Sequence, residues 1–333
     1  MKTLTVYFSK VLAVRIVAVL CSLVALLVLM DLIDNVEKVL ERRGSPADIA
    51  IFAGYRLPTI IERLIPLSVL VGSTMGVLAL ATRSELVVLR ATGVSPFRIV
   101  ALGLPVCLTV VGAHFLVADR IAPASERAFV EWWEPSSSKY RRLWLRGEDG
   151  LVRIGSISAD ATVLTNLDLF ERDAAGVMIS RTSAKSARYE DGRWRLFEVV
   201  EIPIRPAGTA TPGATGQMWI NGPSPQVLLD LVAGPEQLSN TTLEQIMTVS
   251  WSSSADPSVY GTELARRSAG PLASLAMMLI VASTVRGLNR SGGPQIGALV
   301  GLAVGLTFLI VDGIFGSLGR AGLIAPMVAA WTP

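Results

Sequence analysis

Histidine and cysteine are nearly absent from this sequence, with one histidine and two cysteines in 333 residues. A zinc centre built from imidazoles and thiolates has no ligand set here, and no stretch has zinc-ligand spacing. No nucleophile stands with a convincing base. The turn Gly-x-x-x-x-Gly-Lys-Ser/Thr that cradles nucleotide phosphates occurs nowhere. No catalytic residue is assigned. Charge is scarce as well, at 17% of residues, and the net charge of +3 gives nucleic-acid binding little support. Cys21 and Cys107 both lie inside apolar runs, where a thiol acts as a small hydrophobe and a structural disulfide is not expected. The one histidine, His114, lies in the same run as Cys107 and reads as a packed or hydrogen-bonded intramembrane residue.

Apolar residues are what the chain has in excess: 51% of residues, with a mean hydropathy of +0.52. They come in blocks. A membrane span needs about 20 apolar residues to cross roughly 30 Å of hydrocarbon. Five blocks qualify, near Val11–Ile33, Leu64–Thr82, Ile99–Ala118, Gly270–Val285 and Ile296–Leu318. A sixth begins near Ala321 but has only 13 residues before Pro333. That length of helix covers ~20 Å, so the reading is a six-span type with an incomplete last span. The start of the chain resembles a signal-peptide n-region. Its apolar run leads into Asp31 and Asp34 without a small-residue cleavage site, and it is read as an uncleaved first span.

The stretch between the third and fourth spans differs in character. Apolar and polar residues alternate in Leu143–Arg146, Leu151–Ile154, Val163–Leu167 and Trp194–Val199. Turn signals separate these segments: Glu148-Asp149-Gly150, Asp173-Ala174-Ala175-Gly176 and Glu190-Asp191-Gly192. The pattern predicts an antiparallel sandwich or jelly roll. Pro203–Pro225 reads as a loop. Pro235–Tyr260, with Leu243, Ile246 and Met247 at helical spacing, reads as the return to the fourth span. The expected fold is thus a polytopic α-helical membrane protein with an inserted all-β, jellyroll-like domain. Residues 1–120 carry spans one to three, 121–260 the β domain, and 261–333 the remaining spans.

Charges on the short connections set the expected orientation. One side holds Lys2, Lys10, Arg15, Arg83, Arg90, Arg98, Arg286 and Arg290; the other holds Lys38, Arg42, Arg43, Arg56 and Arg63. Eight against five places the N-terminus in the cytoplasm and the β domain outside it.

One charged, glycine-broken segment joins the second and third spans: Arg83-Ser84-Glu85-Leu86-Val87-Val88-Leu89-Arg90-Ala91-Thr92-Gly93-Val94-Ser95. If Ser84 caps a short helix, Glu85 falls in its first turn and Arg90 near its last, both suited to the helix dipole. Leu86, Leu89 and Arg90 would share a face, Gly93 would end the helix, and Ser95-Pro96 would start the next. From pattern alone, a tight solvated turn explains the segment equally well. This stretch, however, closely resembles the signature of the LptF/LptG permeases, which extract lipopolysaccharide from the bacterial inner membrane. The resemblance covers nearly the whole chain. Tyr260-Gly261-Thr262-Glu263-Leu264-Ala265-Arg266-Arg267 with Gly270-Pro271-Leu272, and Asp312–Leu318 followed by Ala325-Pro326, favour the LptG branch.

The resemblance implies a transport role. A permease of this family works with a paralogous LptF-like permease and a dimeric cytoplasmic LptB-like ATPase. It passes lipopolysaccharide to periplasmic LptC-like and LptA-like bridge proteins. ATP and magnesium would be bound by the ATPase, so this chain would need no cofactor and perform no catalysis. Arg83, Ser84, Glu85, Leu86, Leu89 and Arg90 would form the coupling helix, with Glu85 meeting basic residues of the ATPase and the two leucines filling its groove. Lys38, Arg42, Arg43 and Arg63, with Arg56, would suit lipid A phosphates, although local pairing such as Asp34–Lys38 explains them too. Family members often carry a basic residue near the end of the first span, where this chain has Asp31 and Asp34. Gly297, Gly301 and Gly305 would serve a lateral gate or simple helix packing, as would Gly72 and Gly76. Asp312 would lie near the end of the fifth span in a gating, capping or packing role. Three rivals stay open: an LptF-type paralogue, a lipoprotein-release permease, and a membrane-tethered scaffold without transport.

Overall fold

The computed structural model describes residues 2–133, 143–147, 150–158, 160–173, 176–204, 211–212, 216–248, 251–253, 257–287 and 293–332. The chain divides into two compact units, Met1–Phe129 with Thr262–Pro333, and Val130–Gly261.

In the helical unit, α1 (Lys2–Arg43) and α2 (Pro46–Thr82) form a hairpin. At 1.5 Å per residue α1 is ~63 Å long, about twice the thickness of a hydrocarbon core. The connection expected across residues 34–63 is therefore helix, not loop. Its own apolar seam is the reason: Val39 and Phe52 are buried within this extension. The reversal needs two residues. Gly44 takes φ +80°, and Ser45 Oγ accepts from the Ala47 amide at 3.3 Å, with Pro46 opening α2. Closer to the middle, the two helices touch backbone to backbone. A Cβ on Gly72 would lie 2.6 Å from Ile16 Cα, and one on Gly76 would meet the Leu12 side chain. This glycine pair serves packing within the chain.

Next come α3 (Glu85–Ala91), α4 (Pro96–Ala101), α5 (Leu104–Leu116) and, after a π turn over Val117–Ile121, α6 (Ala122–Trp133). The third apolar helix differs from its expected bounds at both ends. It starts at Leu104 because the chain turns at Leu102-Gly103, with Pro105 in the first helical turn. It runs on to Trp133 because the Ala122 amide reaches back to the Val117 carbonyl, absorbing one extra residue without breaking the helix. The strand-bearing unit accordingly begins at Val130. Two long helices follow later in the chain: α9 (Pro257–Gly287) and α10 (Gly293–Arg320). Where a sixth span was expected to begin, the chain turns through Gly322 and forms only the six-residue α11 (Pro326–Trp331). Among the described residues, five helices are long and apolar enough to cross a membrane. Leu12, Val69, Leu70, Ile99 and Met277 centre their shared core. His114 is buried, with Nδ1 3.1 Å from Ser274 Oγ of α9, as expected of an intramembrane polar group.

The second unit is built on β1 (Leu143–Gly147), β2 (Gly150–Ile157), β3 (Val163–Arg172), β4 (Met178–Glu190) and β5 (Arg193–Pro203). Three two-residue strands complete the sheet: β6 (Thr211–Pro212), β7 (Met218–Trp219) and β8 (Ser252–Ser253). The order β6-β5-β4-β3-β2-β1-β8, with β7 also on β5, is antiparallel throughout. The expected inserted β domain is present as one curled sheet. Successive long strands are direct neighbours, so the connections are hairpins and not the crossovers of a two-sheet sandwich. The Glu190-Asp191-Gly192 turn falls as expected. Asp191 at φ +51° and Gly192 at φ +79° make a two-residue reversal with the twist hairpins favour. The loop residues of Glu148-Asp149-Gly150 and the alanines of Asp173–Gly176 lie outside the described residues, as do most of 203–215.

A crease crosses the four central strands. Pairing skips Gly155 opposite Asn166, Asn166 opposite Lys185, and Lys185 opposite Glu198. Asn166 and Glu198 take positive φ, at +54° and +51°. The inward phase shifts at the same line on every strand. Buried positions step from Ile154 to Ile157, Leu164 to Leu167, Ala184 to Ala187, and Leu196 to Val199. An ordinary strand would step by two. The register is the same on both sides of the line, so no residue is inserted; the interrupted pairing marks where the sheet curls. Inside it lies Trp194, 1% exposed, whose indole donates to the Pro223 carbonyl at 2.7 Å. Leu228 of α7 (Pro225–Val232) and Leu243 of α8 (Asn240–Thr248) are also fully buried in this unit.

Candidate functional site

The segment between α2 and α5 is a pair of short helices braced against the bundle. Ser84 breaks the chain direction at φ +59°, which is not the extended backbone of an N-cap serine. Its carbonyl still opens α3 by accepting from the Val88 amide at 3.0 Å. Gly93, at φ +82°, ends α3, and the Val94 amide closes it onto the Leu89 carbonyl at 3.2 Å. Ser95 then starts α4, its hydroxyl accepting from the Arg98 amide at 3.4 Å. The break, the stop and the restart follow the sequence pattern; the cap geometry at Ser84 does not.

The side chains correct part of the coupling reading. Leu86 is 2% exposed and belongs to the core that also holds Phe8, Leu12 and Ile99; Leu89 packs half-buried against it. Both leucines share a face, as expected, and that face packs on the chain's own bundle, with Leu86 buried and Leu89 half-buried. Val88, at 60% exposed, together with Ala91 and Thr92, forms the open face of α3. Glu85 is half-exposed at its edge and already has a partner: Tyr7 Oη of α1 donates to its two carboxylate oxygens at 3.2 and 3.0 Å. Arg83 is exposed. The side chain of Arg90 and the whole of Arg290 lie outside the described residues.

At the far end of the α1–α2 hairpin, Lys38, Arg42, Arg43 and Arg63 are all exposed. Arg56 is different. Its Nε meets Asp31 at 3.0 Å, its Nη1 lies 3.9 Å from Glu126 of α6, and its guanidinium sits 5.5 Å from the Phe129 ring centre. Thr59 also donates to Glu126, at 3.4 Å, and Phe52 meets Phe129 edge-on at 5.5 Å. Arg56 thus clamps α1, α2 and α6 together and does not belong with the exposed basic residues. Asp31 is its counter-ion.

On α10, the stripe glycine Gly305 packs against α2 of the same chain. Gly301 and Gly305 are buried and Gly297 half-buried. A Cβ on Gly305 would collide with the Leu70 side chain of α2. Asp312 pairs with Arg266 of α9 at 2.6 Å, and Arg266 also donates to the Asp312 carbonyl at 2.9 Å. The guanidinium lies over Gly316, where a side chain would collide with it. Arg267 turns to Glu263 at 3.0 Å and is nearly buried.

Comparison with known proteins fits this arrangement. The family described as "Lipopolysaccharide export system permease LptF/LptG" matches residues 6–333. The chain belongs to that family. Among LptF/LptG permeases, it is 24% identical over 339 residues to the lipopolysaccharide export system permease protein LptG of Escherichia coli K12, covering 98% of this chain and 93% of that one. It is likewise 24% identical over 322 residues to LptG of Haemophilus influenzae KW20 Rd, covering 94% and 90% of the two chains. The chain is a multi-pass membrane permease subunit of lipopolysaccharide export.

Two features of this permease are not apparent in its sequence. Tyr7 is one aromatic among the residues that open α1, and nothing local ties it to Glu85, 78 positions away. Asp31 and Glu126 are separated by the whole of α2. The acids at Asp31 and Asp34 stood out in the sequence, but nothing there tied Asp31 to Arg56.

Proposed function

We propose that this permease takes the LptG seat of an ABC transporter in the bacterial inner membrane, with α3 docking on a dimeric cytoplasmic ATPase. It would pair with an LptF-like permease and hand lipopolysaccharide to a periplasmic bridge through its β domain. The observation that carries this reading is the build of α3. It is a short helix between two spans, locked to the bundle by Leu86, with an open face at Val88, Ala91 and Thr92 and a carboxylate at its edge. A helix fixed on one face and open on the other passes a push from a partner into the spans. A solvated turn would not bury Leu86. Both relatives carry the LptG name, which supports that seat over the paralogous one. The arginine excess around α3 supports a cytoplasmic position for it. Lys38, Arg42, Arg43 and Arg63 then face outward, and a guanidinium is the better bidentate partner for lipid A phosphates.

Glu85→Ala tests the docking role. The ATPase should co-purify more weakly with the mutant permease, and lipopolysaccharide release from reconstituted vesicles should fall with it. Normal co-purification together with normal release would remove Glu85 from the mechanism.

A further inference from the structure

Three consecutive residues of α1 hold the segment that contains α3 and α4. Tyr7 Oη bonds both carboxylate oxygens of Glu85 at the start of α3. Ser9 Oγ donates to the Leu102 carbonyl at 3.1 Å, in the turn that follows α4. Between them, Phe8 is 4% exposed in the core that takes up Leu86. One turn of the first span therefore grips the entry of this segment, at Glu85 and Leu86, and its exit at Leu102. The three grips differ in kind. Apolar contact at Phe8 and Leu86 resists separation but has no preferred direction. A hydrogen bond does have one. The Ser9 bond ends on backbone at the exit, whereas the Tyr7 bond ends on a side chain of α3 itself and adds a directional hold to the buried Leu86.

We infer that Tyr7 is a positioning residue for coupling: its hydroxyl orients the Glu85 carboxylate for the ATPase and carries displacement of α3 into the first span. The inference rests on the docking role proposed above. An ionised carboxylate has about four acceptor sites, so the Tyr7 hydroxyl leaves room for a cationic partner on the same group. Tyr7 is itself 42% exposed, so its ring is not a core element whose packing the bundle depends on. Loss of the hydroxyl alone removes a link between two parts of this chain and leaves the open face of α3 intact.

The test is Tyr7→Phe in the complete transporter, reconstituted in vesicles loaded with lipopolysaccharide. Three quantities are read: ATPase retained on purification, ATP hydrolysed, and lipid released per ATP. Retention should stay within about two-fold of the parent, while lipid released per ATP should fall about five-fold, the scale of one partly exposed hydrogen bond to a charged group. Tyr7→Phe added to Glu85→Ala should cost nothing further, because the bond is already gone. Unchanged lipid per ATP in Tyr7→Phe, or fully additive losses in the double mutant, overturns the role of Tyr7. The two readings separate cleanly. A defective Glu85→Ala with a silent Tyr7→Phe overturns this inference alone, whereas a silent Glu85→Ala overturns the docking role beneath it.

Discussion

Adding one methyl group at Gly72 should pry the first two helices apart, while the same change at Gly54 of the same helix should not. A Cβ at Gly72 would lie 2.6 Å from Ile16 Cα and 2.8 Å from Ile16 N. These are backbone atoms, so no rotamer change relieves the clash. The helices must separate locally, and contacts on either side of the glycine lengthen with them. Overpacking of this kind costs about 1–3 kcal/mol. Gly54 has nothing within 4 Å of the same construction. Both substitutions share the gain from replacing glycine by alanine in a helix, about 1 kcal/mol. That gain cancels in the difference, which isolates the clash at about 1–3 kcal/mol. For a membrane unit of this size, each kcal/mol corresponds to roughly 2–4 °C in Tm. Heating the purified transporter in detergent and following the folded fraction by gel filtration reads the difference. Gly72→Ala should melt several degrees below Gly54→Ala. Equal melting of the two variants would refute the close approach of α1 and α2 at this point.

Further tests address the ion pairs. Arg56→Ala leaves Glu126, whose side chain is 13% exposed, without its cation, and should cost about 1–3 kcal/mol. Asp31→Asn keeps the Glu126 pair and should cost less, by the same melting assay. In the β domain, burial alone would raise the Asp168 pKa, but the Ser183 hydroxyl and the Arg181 and Arg153 guanidiniums outweigh it and hold the value below the ordinary 3.8. Stability from this group is therefore complete above about pH 4 and fades as pH falls through the lower folded value. Asp168→Asn should reduce stability at pH 7 and flatten the loss on acidification, read by near-ultraviolet circular dichroism of the full chain. A photo-crosslinker in place of Arg42 should capture lipopolysaccharide during transport, while one in place of Arg56 should not, since that side chain is enclosed by Asp31, Glu126 and Phe129.

Composition exposed the spans because some twenty apolar residues in a row, in a chain this poor in charge, match the hydrocarbon thickness of a bilayer. It did not expose the polar extension of α1 and α2. There, Val39 stands among charges and Phe52 in a run of only five apolar residues, too short to read as a span, and burial of both shows a seam that length alone does not. Of the five long strands, β1, β2, β3 and β5 were legible, and so was the Asp191-Gly192 reversal; β4 (Met178–Glu190), rich in serine, alanine and charge, was not, nor were the two-residue strands inside stretches read as a loop and a helical return. The crease was not legible either. It moves each strand's inward face by one residue, so the alternation that marks a strand is interrupted at Gly155, Asn166, Lys185 and Glu198. In the candidate site, the motif located α3 correctly. Its leucines looked like partner contacts because a sequence shows that two residues share a face, not what that face meets. Leu86 is buried in the chain's own core, and the residue of α3 left exposed is Val88.

The central claim is that the open face of α3 meets the ATPase while the tip of the α1–α2 hairpin lies across the membrane from it. One measurement tests both halves: site-specific photo-crosslinking in intact cells from Val88 and from Arg42. Val88 should crosslink to the ATPase and Arg42 should not. An ATPase adduct at Arg42, or none at Val88 in an actively transporting complex, would contradict the account.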